Sequence, residues 1–129
     1  MTDDNLVGDL RLATVVVNVK DMRRAVDFWT SLLAYETREA EWDDEFMMLV
    51  DPRHQHPSIS LQAADAIPTD PAPIHLDLYT SEQQRQLERA VELGAMRVED
   101  WPYPTDADFV VLRDPDGNEF CIIDHSEGD

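Results

Sequence analysis

Apolar and polar positions change period repeatedly along this chain, and each change predicts a different element. Residues 10–19 run Leu-Arg-Leu-Ala-Thr-Val-Val-Val-Asn-Val, a β-branched stretch that predicts a mostly buried strand. From Met22 the period lengthens: Met22, Ala25, Val26, Trp29, Leu32 and Leu33 recur at three- and four-residue spacing. That spacing predicts a helix over 21–34 with one apolar face, opened by Asp21 as N-cap. Three shorter extended segments, 36–42, 45–50 and 58–62, follow, separated by Asp43-Asp44 and by Asp51-Pro52-Arg53. They predict an antiparallel meander.

The stretch up to Ala72 carries Pro68 and Pro71 among small and acidic residues, which suits an extended linker. The order then begins again. Residues 74–79 alternate strictly, and Ser81 with Gln84 forms a Ser-x-x-Gln capping-box signature for a second helix whose apolar face is Leu87, Ala90 and Val91. Gly94 supplies its C-terminal stop, and 96–101, 109–113 and 119–124 predict three more strands. The turn Asp114-Pro115-Asp116-Gly117-Asn118 sets Pro where φ is fixed and Gly where φ can be positive, so it predicts a hairpin. The expected fold is therefore α+β, with two βαβββ modules: an N-terminal tail over 1–9 and one domain over 10–125. Module one takes 10–63, the linker 64–72 and module two 73–125.

Composition narrows the function classes. A chain of 129 residues suits one domain. Its net charge of −18, from 28 acidic residues against 10 basic ones, repels phosphate backbones and anionic headgroups. Neither a nucleic-acid partner nor a membrane is expected. An acidic first stretch without a basic-then-apolar order, together with a single cysteine, Cys121, reads as cytoplasmic.

Several local matches, in order, give the whole chain from 10 to 125 a family likeness. They are Val17-Asn18-Val19-Lys20-Asp21 leading into Ala25-Val26-Asp27-Phe28-Trp29, then His75-Leu76-Asp77-Leu78, Leu93-Gly94-Ala95, and Asp114-Pro115-Asp116-Gly117-Asn118-Glu119-Phe120. The chain resembles the vicinal oxygen chelate superfamily of glyoxalases, bleomycin-resistance proteins and extradiol dioxygenases, and within it the glyoxalase-like subgroup. The resemblance implies two modules whose sheets curl into an open cup, with the helices outside. It further implies that a metal, in members that use one, is held by a residue from the first and last strand of each module. Those positions fall on Thr14, Ser60, His75 and Cys121. Hydroxyls are poor donors to a divalent ion, and His75 with Cys121 would hold zinc only with further ligands. The expected cofactor set is thus none, a divalent metal through His75 being the less favoured case.

Strand alternation adds neighbours to these positions. The face bearing His75 also presents Asp77 and Tyr79, that of Cys121 presents Glu119 and Ile123, and that of Ser60 presents Ser58 and Gln62. His75 and Glu119 are the acid–base candidates. Thr14, Ser60, Gln62, Asp77, Trp101 and Cys121 are the expected ligand-binding residues, with Trp101 on a stiff Trp-Pro-Tyr-Pro rim. Cys121, flanked by apolar residues, is expected to pack rather than react. His54-Gln55-His56 is expected to be a solvent-exposed loop. The expected function is binding of a small polar organic molecule in the cup, as a metal-independent lyase or isomerase. Drug sequestration of the bleomycin-resistance type is the alternative, and a metal-dependent glyoxalase or dioxygenase is less favoured. A homodimer is implied by the resemblance, whose cups a second chain often completes.

Overall fold

A computed structural model describes residues 12–66 and 74–125, and within them the strand, helix, three-strand order occurs twice. The first module is β1 (Thr14–Val19), α1 (Met22–Leu33), β2 (Glu36–Thr37), β3 (Phe46–Val50) and β4 (Ser58–Ala63). The second is β5 (Leu76–Thr80), α2 (Gln83–Leu93), β6 (Met96–Arg97), β7 (Phe109–Arg113) and β8 (Glu119–Asp124). Each module forms an open mixed sheet, ordered β1-β4-β3-β2 and β5-β8-β7-β6. The β1–β4 and β5–β8 pairs are parallel and the others antiparallel. The architecture is α+β, as the periodicity predicts, and cup-like, as the resemblance implies. The expected tail over 1–9 and linker residues 67–72 lie outside the described residues, as do Leu10 and Arg11 of the expected first strand.

One apolar core spans both modules. It joins the helix-facing side of the first sheet (Val17, Val19, Leu49, Leu61) to Phe28 and Trp29 of α1 and to Phe120 and Ile122 of β8. Phe28, Trp29 and Phe120 meet edge to face with ring centroids 5.0 to 6.0 Å apart, the arrangement that aromatic quadrupoles favour. Asp21 caps α1 by accepting from the Arg24 backbone N–H at 3.1 Å.

Four local expectations need correction. The strand expected over 36–42 ends at Thr37, because the Glu39 carboxylate takes the Met48 N–H at 3.2 Å and replaces the ladder bond a continuing strand would make. The strand expected over 96–101 ends at Arg97. Pro102 and Pro104 have no N–H to offer a ladder, and the Tyr103 hydroxyl instead donates to Val98 O and accepts from Val111 N. Ser81 forms no capping box: α2 starts at Gln83 behind Glu82, whose N–H bonds the Thr80 hydroxyl at 3.0 Å, so a local turn takes the place of the cap. Leu87 and Ala90 are buried as expected, but Val91 faces solvent. Gly94 does end α2, at φ 121° and with the space for a Cβ only 3.3 Å from Pro115.

Candidate functional site

Each sheet packs its helix-side residues into the core, so the residues between them in sequence stand on the opposite face and form the wall of a cup. On the module-two wall the register sets Asp77 beside Cys121, and Cys121 beside Val111. Arg113 stands beside Glu119 on the same face. His75 lies just ahead of β5 and reaches this face too: its Nε2 is 3.3 Å from Asp77 Oδ1. One donor atom from each of His75, Asp77 and Cys121 lies within 4.8 Å of the other two. The side chains of His75 and Asp77 are each 52% exposed, whereas Cys121 is buried. The wall is thus open to solvent at its imidazole–carboxylate end. At the other end Tyr103, Phe109 and Ile123 close over Val98, Val111 and Cys121 as a small separate apolar cluster.

The charges on this wall act on the thiol. Burial, then the negative charges of Asp77 and Glu119, push Cys121 up to about 11. A thiol held protonated this way is a weak nucleophile, in line with the packing role expected for it. Glu119 is only 10% exposed and pairs with the Arg113 guanidinium at 3.3 Å, while Arg113 Nε is buried without a partner among the described residues. Arg113 is the wall residue that sequence reasoning missed. The signal was present, since the hairpin register that follows from the Asp114–Asn118 turn pairs residue 113 with residue 119.

The module-one wall is different in kind. Thr14 Oγ1 donates to Ser58 O at 3.1 Å, and the Thr14 and Ser60 hydroxyls are 2.9 Å apart. Ser60 is fully buried, and Gln62 is exposed at the far end of β4. Among the described residues no hydrogen bond joins Thr14, Ser60 or Gln62 to His75, Asp77 or Cys121, and none joins Trp101 to them. Trp101 lies beyond β6 in the loop, partly exposed. The expected site therefore divides into a polar group on module two and a self-satisfied hydroxyl pair on module one.

That division bears on metal binding. The four-position ligand set implied by the resemblance does not fit, because the Thr14 and Ser60 hydroxyls close on each other and on a backbone carbonyl. Among the described residues, module two alone presents an imidazole, a carboxylate and a thiol together. His54 and His56 form no such group: they sit in an exposed loop wrapped around buried Asp51, whose carboxylate accepts from the backbone of Arg53, Gln55 and His56.

A cleft of about 590 Å³ also opens between the β1 and β5 edges, within the size range of small-molecule sites. Its lining includes Val15, Leu33, Leu76, Leu78 and Ile122, side chains of the helix-facing, apolar side. Asp77 is the one member of the polar group that borders it.

Two open modules with helices on one side and polar walls on the other define a protein with the two-module, cup-like fold. Residues 14–123 match the sequence model of the glyoxalase-like domain, and the chain belongs to that family. No curated protein sequence matches it. Among solved structures it is similar to a glyoxalase/bleomycin resistance protein/dioxygenase family enzyme from Burkholderia phytofirmans, at 20% identity and TM-score 0.66 over 88% of this chain and 97% of that one. It is similar also to the fosfomycin resistance protein of Listeria monocytogenes, solved with Mn(II) and dihydroxypropylphosphonic acid, at 15% identity and TM-score 0.69 over 92% and 91%. A gene product of Arabidopsis thaliana shares the fold at 17% identity and TM-score 0.66 over 91% and 99%. Among the described residues no helix is long and apolar enough to cross a membrane.

Proposed function

We propose that this domain binds a small polar organic molecule on the module-two wall, between His75, Asp77, Glu119 and Arg113 and over Val111 and Cys121. The observation that carries the reading is the half-open His75–Asp77 pair at 3.3 Å beside a buried apolar floor. A few convergent polar groups over an apolar base are what a small-molecule site requires. The finer reading is a lyase or isomerase in which His75, oriented through Nε2 by Asp77, moves the proton. Glu119 then binds and orients rather than donating, because Arg113 already engages its carboxylate. Small-molecule binding is in keeping with the fold, since the Listeria protein was solved with Mn(II) and a small phosphonic acid.

A second copy of the chain completes the cup in this proposal, setting a Thr14–Ser60 wall opposite a His75 wall. Support comes from the sheet edges: β1 and β5 are both edge strands, and Val16 and Tyr79 on them are exposed. Bleomycin-resistance-type sequestration of a cationic drug is the second reading, favoured by the two carboxylates on the wall and the net charge of −18.

Screening a metabolite library by ligand-observed NMR tests the site. Binding that is lost in His75→Ala and weakened in Arg113→Ala supports the proposed wall. Binding unchanged in both removes it. Survival of cells challenged with cationic drugs, with and without expression, separates the sequestration reading, which fails if expression gives no protection.

A further inference from the structure

We propose that module two by itself is a zinc site, with His75 Nε2, the Asp77 carboxylate and the Cys121 sulfur as its three protein ligands. This set is not the four-strand arrangement that the family resemblance implies. It draws two ligands from one strand and its approach, at positions i and i+2, and the third from the neighbouring parallel strand, and it uses nothing from Thr14 or Ser60. Extended backbone sends residues 75 and 77 to the same face, and the β5–β8 register lays Asp77 against Cys121.

The spacing fits a tetrahedral ion. Zinc binds imidazole nitrogen and carboxylate oxygen at about 2.0–2.2 Å, which holds two such donors roughly 3.3 Å apart in tetrahedral geometry. His75 Nε2 and Asp77 Oδ1 are 3.3 Å apart. The sulfur bond is longer, about 2.3 Å, so the third donor belongs a little further away, and the 4.8 Å limit on all three separations leaves room for it. The donor types select the metal: calcium and magnesium take all-oxygen sets, while a mixed nitrogen, oxygen and sulfur set suits zinc. Binding breaks the Cys121 S–H bond as the Zn–S bond forms, and the proton passes to buffer. Three protein ligands leave a fourth position, open on the solvent side of the wall.

The ion would share the wall of the proposed ligand site, and with it bound His75 Nε2 and Asp77 would act as ligands in place of the proton-moving pair; the inference stands on its own geometry and is tested apart. The chelator-treated chain is titrated with Zn(II) alone by calorimetry, with Co(II) as a spectroscopic probe. One equivalent should bind, with a thiolate-to-Co(II) charge-transfer band. Cys121→Ser and Asp77→Asn should each weaken zinc on the order of tenfold or more and Cys121→Ser should abolish the band, with circular dichroism confirming that both variants fold. A His54→Ala/His56→Ala double variant should bind as the parent does. Absence of stoichiometric zinc, a loss that follows the loop histidines, or an unchanged Cys121→Ser variant overturns the proposal. Repeating the organic-ligand screen in chelator separates the two readings: ligand binding without zinc binding sinks only this one, and zinc binding without any ligand sinks only the other.

Discussion

The indole Nε1 of Trp29 donates to Asp114 Oδ2 at 3.0 Å, joining the helix of module one to the last hairpin of module two across 85 positions of sequence. The Asp114–Asn118 turn is the hub of the interface. Asp114 Oδ1 accepts from Asp116 N and Asn118 N, Asp116 Oδ1 accepts from Lys20 N, Asp21 N and Arg24, and Asn118 donates to Asn18 O. Trp29→Phe should therefore destabilise the domain by about 1–3 kcal/mol, the range for leaving a buried polar partner unsatisfied. Asp114→Ala should cost more, because it strands several donors at once. Urea unfolding of both variants checks the order, and a Trp29→Phe variant as stable as the parent would show the bond to be idle.

Burial raises the Asp114 carboxyl above its ordinary value, and its hydrogen bonds only partly offset this. Asp51 moves the other way. Burial acts to raise it, but the bonds from Arg53 and Gln55 prevail and bring it down to about 2 from 3.8. A depressed folded-state value contributes stability above the unfolded value that is lost as pH falls through the folded one. The Asp51 contribution should thus be complete above about pH 5, mostly lost by about pH 2 and gone only below both values, whereas Asp114 should favour folding more strongly in mild acid than at neutrality. Melting temperature followed from pH 6 to pH 2 should fall less steeply below pH 4 in Asp51→Asn than in the parent. Parallel curves would contradict the assignment.

These two carboxylates mark what the sequence could and could not yield. Periodicity sufficed for the order of elements, because it depends only on which positions face a core. The site was half legible. Alternation placed Asp77 with His75 and Glu119 with Cys121, but cross-strand register was needed to bring His75, Asp77 and Cys121 together and to reveal Arg113. Asp114 and Asp116 read as ordinary turn residues, because nothing local distinguishes a solvated turn aspartate from one that holds the backbone leading into a helix over 90 residues away. The two truncated strands and the failed Ser81 cap have the same origin: a side chain, Glu39, Tyr103 or Thr80, takes a backbone bond that local pattern assigns to the regular element.

Cys121 offers a kinetic check on the wall. With its thiol near 11, the thiolate fraction at pH 8 is about one part in a thousand, against roughly a quarter for an unperturbed thiol. Chelator-treated native protein should alkylate with iodoacetamide far more slowly than the same chain in denaturant, at a rate still climbing with pH at 10. Asp77→Asn removes one of the charges that hold the proton and should speed the reaction. A plateau near pH 8.5, or an Asp77→Asn variant that reacts no faster, would remove the wall electrostatics described here.

The edge strands carry the last prediction. An uncovered edge is a template for pairing with another chain, and proteins that stay monomeric block theirs with charge, proline or bulges. β1 presents Val16 at 47% exposure and β5 presents Tyr79 at 66%, while Lys20 is the only lysine in the chain. The full chain should therefore run as a dimer in light scattering coupled to size exclusion. Val16→Glu, which adds a carboxylate to an already strongly acidic molecule at a residue outside the core, should shift it to monomer and make its unfolding midpoint independent of protein concentration. If the cup is shared between copies, that variant should also lose the organic ligand while keeping zinc, whose three ligands all lie on one module. A parent chain that is monomeric at high concentration, or a monomeric variant that still binds the ligand, would confine the site to a single wall.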